Sequence, residues 1–166
     1  KLQVCIEELD GPSLKIIYIA VKEDNISRAA FQNIGEGVSR TNIRLNNFIN
    51  ILASASINNL PPVWLVTSGA VTSSNVIGND EQPNPYLSGL WAMGRVIRNE
   101  FPDVDLRMID LKTQASSGLV SKLLWNEIMF GDGEEEIIIS EQIRSALRLQ
   151  KCDNASEIVN REKLQS

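Results

Sequence analysis

Residues 61–71 read PPVWLVTSGAV, and residues 84–111 read NPYLSGLWAMGRVIRNEFPDVDLRMIDL. Trp64, Leu65, Val66 and Val71 belong to a short, β-rich apolar run bounded by Pro61-Pro62 and interrupted by Gly69. A continuous run, as opposed to an alternating one, predicts a parallel strand buried on both faces. Asn84-Pro85 reads as a helix start: Asn supplies a capping oxygen, and Pro at the first helical position loses no needed donor. Leu90, Met93, Ile97 and Phe101 then recur at helical spacing with Gly94 on the same flank. Pro102 stops the helix by disfavouring helical geometry in the residue before it. Residues 106–111 read as the next strand. Strand, helix and strand of these lengths predict a βαβ unit, almost invariably right-handed.

Outward from this unit, Thr41 to Ile57 carries Ile43, Leu45, Phe48, Ile49, Leu52 and Ala55 in steps of three and four, predicting an amphipathic helix. Gly35-Glu36-Gly37 is read as a break in any helix beginning near Ser27. Residues 14–21 (LKIIYIAV) predict a strand whose dense branched residues suggest a central position, and residues 2–6 predict another, with a turn at residues 10–13 (DGPS). Residues 72–83 form a polar loop at the end of the strand that opens at 63. Downstream, Ser116 to Phe130 predicts a helix through Leu119, Leu123, Leu124, Ile128 and Met129, ended by Gly131-Asp132-Gly133. Residues 137–139 and 143–149 predict two strands paired through a short turn at Glu141-Gln142. The expected fold class is α/β, a truncated Rossmann-like, mostly parallel sheet with helices on both faces. Residues 1–150 are expected to form this domain and residues 151–166 a linker or short terminal helix.

Composition narrows the chemistry. The chain has 166 residues, enough for one domain with a sizeable core. Its net charge of −5, with no basic run, argues against nucleic acid and an anionic membrane surface as partners. Histidine is absent, which removes the commonest general base and metal ligand together. A structural zinc site needs about four ligands, and only Cys5 and Cys152 are present, so no metal site is expected; the two thiols are read as free. No run of ~18 apolar residues or signal peptide is found, and a cytoplasmic location is expected. The chain opens on Lys1, not Met, and is read as an excised piece of a longer polypeptide.

A Rossmann-like sheet raises the question of a dinucleotide. The phosphate-binding fingerprint needs G-x-G-x-x-G directly after a strand. Gly35-Glu36-Gly37 lacks the third glycine and does not follow a strand directly, and Gly131-Asp132-Gly133 precedes acidic residues that repel phosphate. Both are read as structural turns. Tyr18 and Lys22 have the four-residue spacing of a reductase Tyr–Lys pair, but in a strand such residues stand about 13 Å apart at ~3.3 Å per residue. Tyr86 has Leu90 four residues on, with no ammonium to assist it, and is read as a packing residue. Arg95, Arg98 and Glu100 form a buried salt bridge, an interface cluster or, the favoured reading, a solvated helix face. Asp110 is read as a strand-end cap in preference to a binding group. Trp64, Trp91 and Trp125 are read as core or interface anchors.

With these residues in view, the chain resembles the structural subdomain of the ketoreductase region of modular polyketide synthases, which reads strand, loop, LWGLGR, EHP, LVDL. Leu90-Trp91-Ala92-Met93-Gly94-Arg95, Glu100-Phe101-Pro102 and Ile109-Asp110-Leu111 fill that pattern, with Ala92 for the usual Gly and Phe101 for the usual His. Residues 16–24 and 134–149 are similar to the flanking segments, so the resemblance covers roughly residues 14–149. It implies a non-catalytic half that buttresses a carboxyl-terminal half. That second half binds NADPH and reduces the β-keto group of an acyl chain carried on phosphopantetheine. No catalytic residue carries over to this chain, and no cofactor is expected in it. The family's first strand and helix would lie before Lys1, and the NADPH-binding half beyond Ser166, with an enoylreductase between them in some modules. Implied partners are the catalytic subdomain and neighbouring synthase domains and, indirectly, the acyl carrier protein. Structural residues implied are Trp91, Gly94, Arg95, Arg98, Glu100 and Asp110. Two other readings are carried: a stand-alone small α/β enzyme using Ser68, Tyr86 and Asp110, and a docking module or pseudo-ketoreductase beside a methyltransferase or dehydratase domain.

Overall fold

The run that opens at Val63 is buried on both faces because it lies inside a parallel sheet. The computed structural model describes residues 15–20, 34–54, 60–72, 83–112, 116–141 and 143–148. In chain order these form β1 (Ile16–Ile19), α1 (Ile34–Ser54), β2 (Val63–Ser68), α2 (Pro85–Glu100), β3 (Leu106–Lys112), α3 (Ser117–Phe130), β4 (Glu136–Ser140) and β5 (Arg144–Ala146). The sheet order is β1-β2-β3-β4-β5; the first four strands are parallel and β5 returns antiparallel. The expected α/β sheet with helices on both faces is what forms.

Alternation along the strands sorts the core into two layers. Val63 and Leu65 of β2 and Leu106 and Met108 of β3 face α1 and α2, meeting Leu45, Ile49, Leu52, Leu90, Trp91 and Ile97. Trp64 and Val66 with Ile109, Leu111, Ile137 and Ile139 face the other way, under Ile128, Leu123 and Leu124 of α3. The chain thus steps in one direction across four parallel strands but places its third helix on the opposite face. The β3–α3–β4 crossover therefore has the opposite hand to the two before it, and at least one of the three departs from the right-handed rule.

Local signals explain α2. Asn84 Oδ1 accepts from Tyr86 N–H at 3.0 Å, Pro85 fills the first position, and Phe101 closes the helix with its N–H donating to the Ile97 carbonyl. Gly94 sits over β3, where an added Cβ would lie 2.3 Å from Met108 Sδ. The absent side chain is what lets the helix axis approach the sheet.

Two expectations are corrected. Gly35-Glu36-Gly37 is neither a turn nor a break: it lies in the first turns of α1, which begins at Ile34 instead of Thr41. The Tyr86 ring occupies the space a Cβ on Gly37 would need, so close helix–helix contact offsets the intrinsic helix cost of glycine. β1 is not central; it is the outer strand of the described sheet, with Ile17 and Ile19 exposed. Its branched composition reports an affinity for burial, not a position. α1 is described as far as Ser54. The readings at residues 2–6, 10–13, Cys5, Lys22, 55–57, 73–82, Gln142, Cys152 and the tail 151–166 lie outside the described residues.

Replacing Gly94 by Val overpacks the α2–β3 contact and should destabilise the chain by about 1–3 kcal/mol. Gly118→Val, where an added Cβ meets nothing, is the matched control. Urea unfolding midpoints of the two variants check this.

Candidate functional site

In an open α/β sheet, ligands bind at the carboxyl ends of adjacent strands whose connections leave to opposite faces. Here that place lies between β2 and β3, because α2 and α3 sit on opposite faces. Asp110 stands in it, fully buried at 0% exposure. Its carboxylate accepts the Thr67 hydroxyl at 2.7 Å and Ala70 N–H at 2.8 Å on one oxygen, and Val71 N–H at 3.0 Å on the other. Thr67 and Asp110 are register partners on the α2 face of the sheet.

The turn leaving β2 has little left to offer a ligand. Gly69 turns the chain with φ +76°, a conformation glycine adopts without strain. Its carbonyl accepts Asn84 N–H at 2.8 Å, and the Ala70 carbonyl accepts the Ser88 hydroxyl at 2.6 Å. Ser68 Oγ donates to the Leu111 carbonyl at 3.2 Å. The amides that would cradle a phosphate already serve an internal anion.

Tyr86 packs on Gly37, as a packing residue would. Tyr18 packs against Phe48 in a tilted ring pair, centroids 5.2 Å apart. Ser68, Tyr86 and Asp110 are therefore each engaged with backbone or packing, and no hydrogen bond joins the three. Among the described residues no group of His, Cys, Asp and Glu is placed to hold a metal ion, and no helix is long and apolar enough to cross a membrane.

The arginine cluster resolves differently from these readings. Arg95 and Arg98 turn away from Glu100 toward the start of β4. Arg95 Nε and Nη2 grip Glu136 at 3.0 and 2.7 Å, and Arg98 reaches Glu136 at 3.2 Å and Glu135 besides. Glu100 stays exposed at the helix end. The helix face is thus not merely solvated; its guanidinium groups clip α2 to a strand some forty residues on. Burial alone would raise the Glu136 pKa. The Arg95 hydrogen bonds and charge outweigh it and hold the carboxyl below its ordinary value, with the Arg98 charge adding to this. Arg95 is raised in turn by its bond to Glu136.

A second clip closes the other face, which nothing in the sequence signalled. Arg144 of β5 forks onto Glu127 of α3 at 2.6 and 2.9 Å and also binds Asp132. Glu127 is only 6% exposed. The Arg144 bond holds Asp132 below the usual carboxylate range, and Arg144 is itself raised, first by Glu127. Arg148 pairs with Glu134. The acidic segment 132–136 is thereby matched to four arginines. On the outer surface of α3, Trp125 and Phe130 remain 59% and 77% exposed. Trp91, by contrast, is core at 3%.

No family model matches the chain, and no solved structure matches it. It is 29% identical over 105 residues to the pikromycin polyketide synthase component PikAIII of Streptomyces venezuelae, covering 63% of this chain and 6% of that protein. It is 36% identical over 63 residues to the polyketide synthase GfsA of Streptomyces halstedii, covering 38% of this chain and 1% of that protein. The matches support a relationship to polyketide synthases, and the chain spans a small fraction of the length of either relative.

Two outcomes follow. Arg144→Leu leaves the Glu127 carboxylate buried and unpaired and should cost about 3–5 kcal/mol in a denaturant titration. The lowered pKa values of Glu136 and Asp132 mean that their stabilisation is present above the unfolded-state value, about 4.5 for Glu136, and is lost as pH falls through the lower folded value. Stability followed by thermal unfolding should decline across that acid window, and Glu136→Gln should flatten the decline.

Proposed function

We propose that this chain is the non-catalytic structural half of the ketoreductase region of a modular polyketide synthase. It buttresses an NADPH-dependent catalytic half that reduces carrier-bound β-ketoacyl thioesters. The observation that carries the reading is the Asp110 carboxylate at the β2–β3 tips, where a nucleotide phosphate would otherwise find free amides. The resemblance of residues 90–95, 100–102 and 109–111 to the family's motif supports it, as do the two polyketide synthase relatives. The arginine clips suit a part kept for its shape, since they tie β4 and β5 to helices on both faces.

The exposed Trp125 and Phe130 favour an interaction role over that of a stand-alone enzyme. In the longer polypeptide this face of α3 would meet a neighbouring domain. A small α/β enzyme acting through Ser68, Tyr86 and Asp110 has no such support, because all three are held in the frame.

The test is a fluorescence titration of the 166-residue chain with NADPH, beside the same titration of a polypeptide that includes the residues following Ser166. No binding by the first and saturable binding by the second is the expected pattern. Saturable binding by the 166-residue chain alone would overturn the proposal.

A further inference from the structure

Two successive backbone amides and a hydroxyl that converge on one point make a receptor for an oxyanion. The turn after β2 is built this way. Gly69, in the left-handed conformation, turns the chain so that the N–H groups of Ala70 and Val71 point to a common centre, which the Thr67 hydroxyl also reaches. Most of the site is buried: Thr67 is 1%, Ala70 3% and Asp110 0% exposed, while Val71 is half-buried. Low local dielectric strengthens each of these bonds.

We infer that the Thr67-to-Val71 turn is an oxyanion-recognition site whose occupant is built in, supplied by Asp110 of the neighbouring strand. The carboxylate plays the part of a ligand. It is tethered, so its effective concentration at the site is far above that of any free anion. Its chemistry is that of a small planar carboxylate held by two amides and one hydroxyl. Removing the Asp110 side chain leaves those donors in place around a space the size of a carboxymethyl group. Formate fits that space; acetate is crowded, and tetrahedral phosphate is too large. The inference concerns the turn alone and stands whether or not the chain belongs to a reductase.

The experiment is thermal unfolding of the wild-type chain and of Asp110→Gly in sodium formate, acetate, phosphate and chloride at equal ionic strength. Formate should raise the Tm of the variant by a few degrees in a saturable way, as a ligand selective for the folded state does. It should not do so for the wild type, where the site is filled. Adding Thr67→Val to Asp110→Gly should remove part of the gain. A formate effect equal in wild type and variant, or equal to that of chloride, overturns the inference.

If Asp110→Gly shows no cooperative transition, Asp110→Asn and amide hydrogen exchange decide instead. The side-chain amide presents an N–H₂ to one of the two backbone donors, so Ala70 or Val71 N–H loses its acceptor. That amide should exchange roughly tenfold faster than in the wild type, with the Leu65 amide changed less. Unchanged exchange at both residues overturns the inference.

Discussion

A buried charge that is fully hydrogen-bonded dictates the arrangement around it, because any movement of its partners strands an anion in a dry interior. Asp110 holds that position here. Its bond to Thr67 fixes β2 against β3, and its bonds to Ala70 and Val71 fold the chain back over the tip of the sheet. The turn so fixed presents the Gly69 and Ala70 carbonyls to Asn84 and Ser88, and those contacts set where α2 begins. Once α2 begins there, Gly94 falls over Met108, and Arg95 and Arg98 fall over Glu136. A single side chain thus places the helix whose far end grips β4.

The two faces of the sheet are finished by different means. α1 and α2 cover one face as a pair, brought close where Tyr86 lies over Gly37 and Val38 over Gly89. Among the described residues α3 is the one helix on the other face, and its crossover hand differs. An unusual crossover has few packing partners to recommend it, and the Arg144 fork onto Glu127 supplies one of them directly, joining the helix to the strand that ends the sheet. The β4–β5 hairpin is held from above by α2 and from below by α3. Such ties oppose shear between the helices and the far strands.

What could be read from sequence was what is decided within a dozen residues. The continuous apolar run of β2, the Asn84-Pro85 start and the Phe101-Pro102 stop are local instructions, and all were obeyed. The start of α1 was misread because Gly35 and Gly37 carry a local signal against helix, and the ring that rewards their smallness arrives from residue 86. The place of β1 was misread because side-chain composition records how much a strand wants to be covered, while sheet order depends on its neighbours. Asp110 was recognisable as a polar residue at a strand end, yet its partners lie 39 to 43 positions earlier, and no periodicity connects them. Arg95 and Arg98 were visible as a cluster; their acceptors, beyond a whole strand and helix, were not.

The outer edge of β1 carries a consequence of its own. Alternate residues of that strand bond to β2 through Ile16 and Ala20 N–H, so the backbone groups between them point outward, flanked by isoleucines 45% and 61% exposed at positions 17 and 19. Among the described residues no strand lies beside them. Such a margin is a template that another chain can extend. A further strand laid along this margin, from this chain or another, would extend the sheet, and the charge of −5 that each copy carries opposes its coming from a second copy.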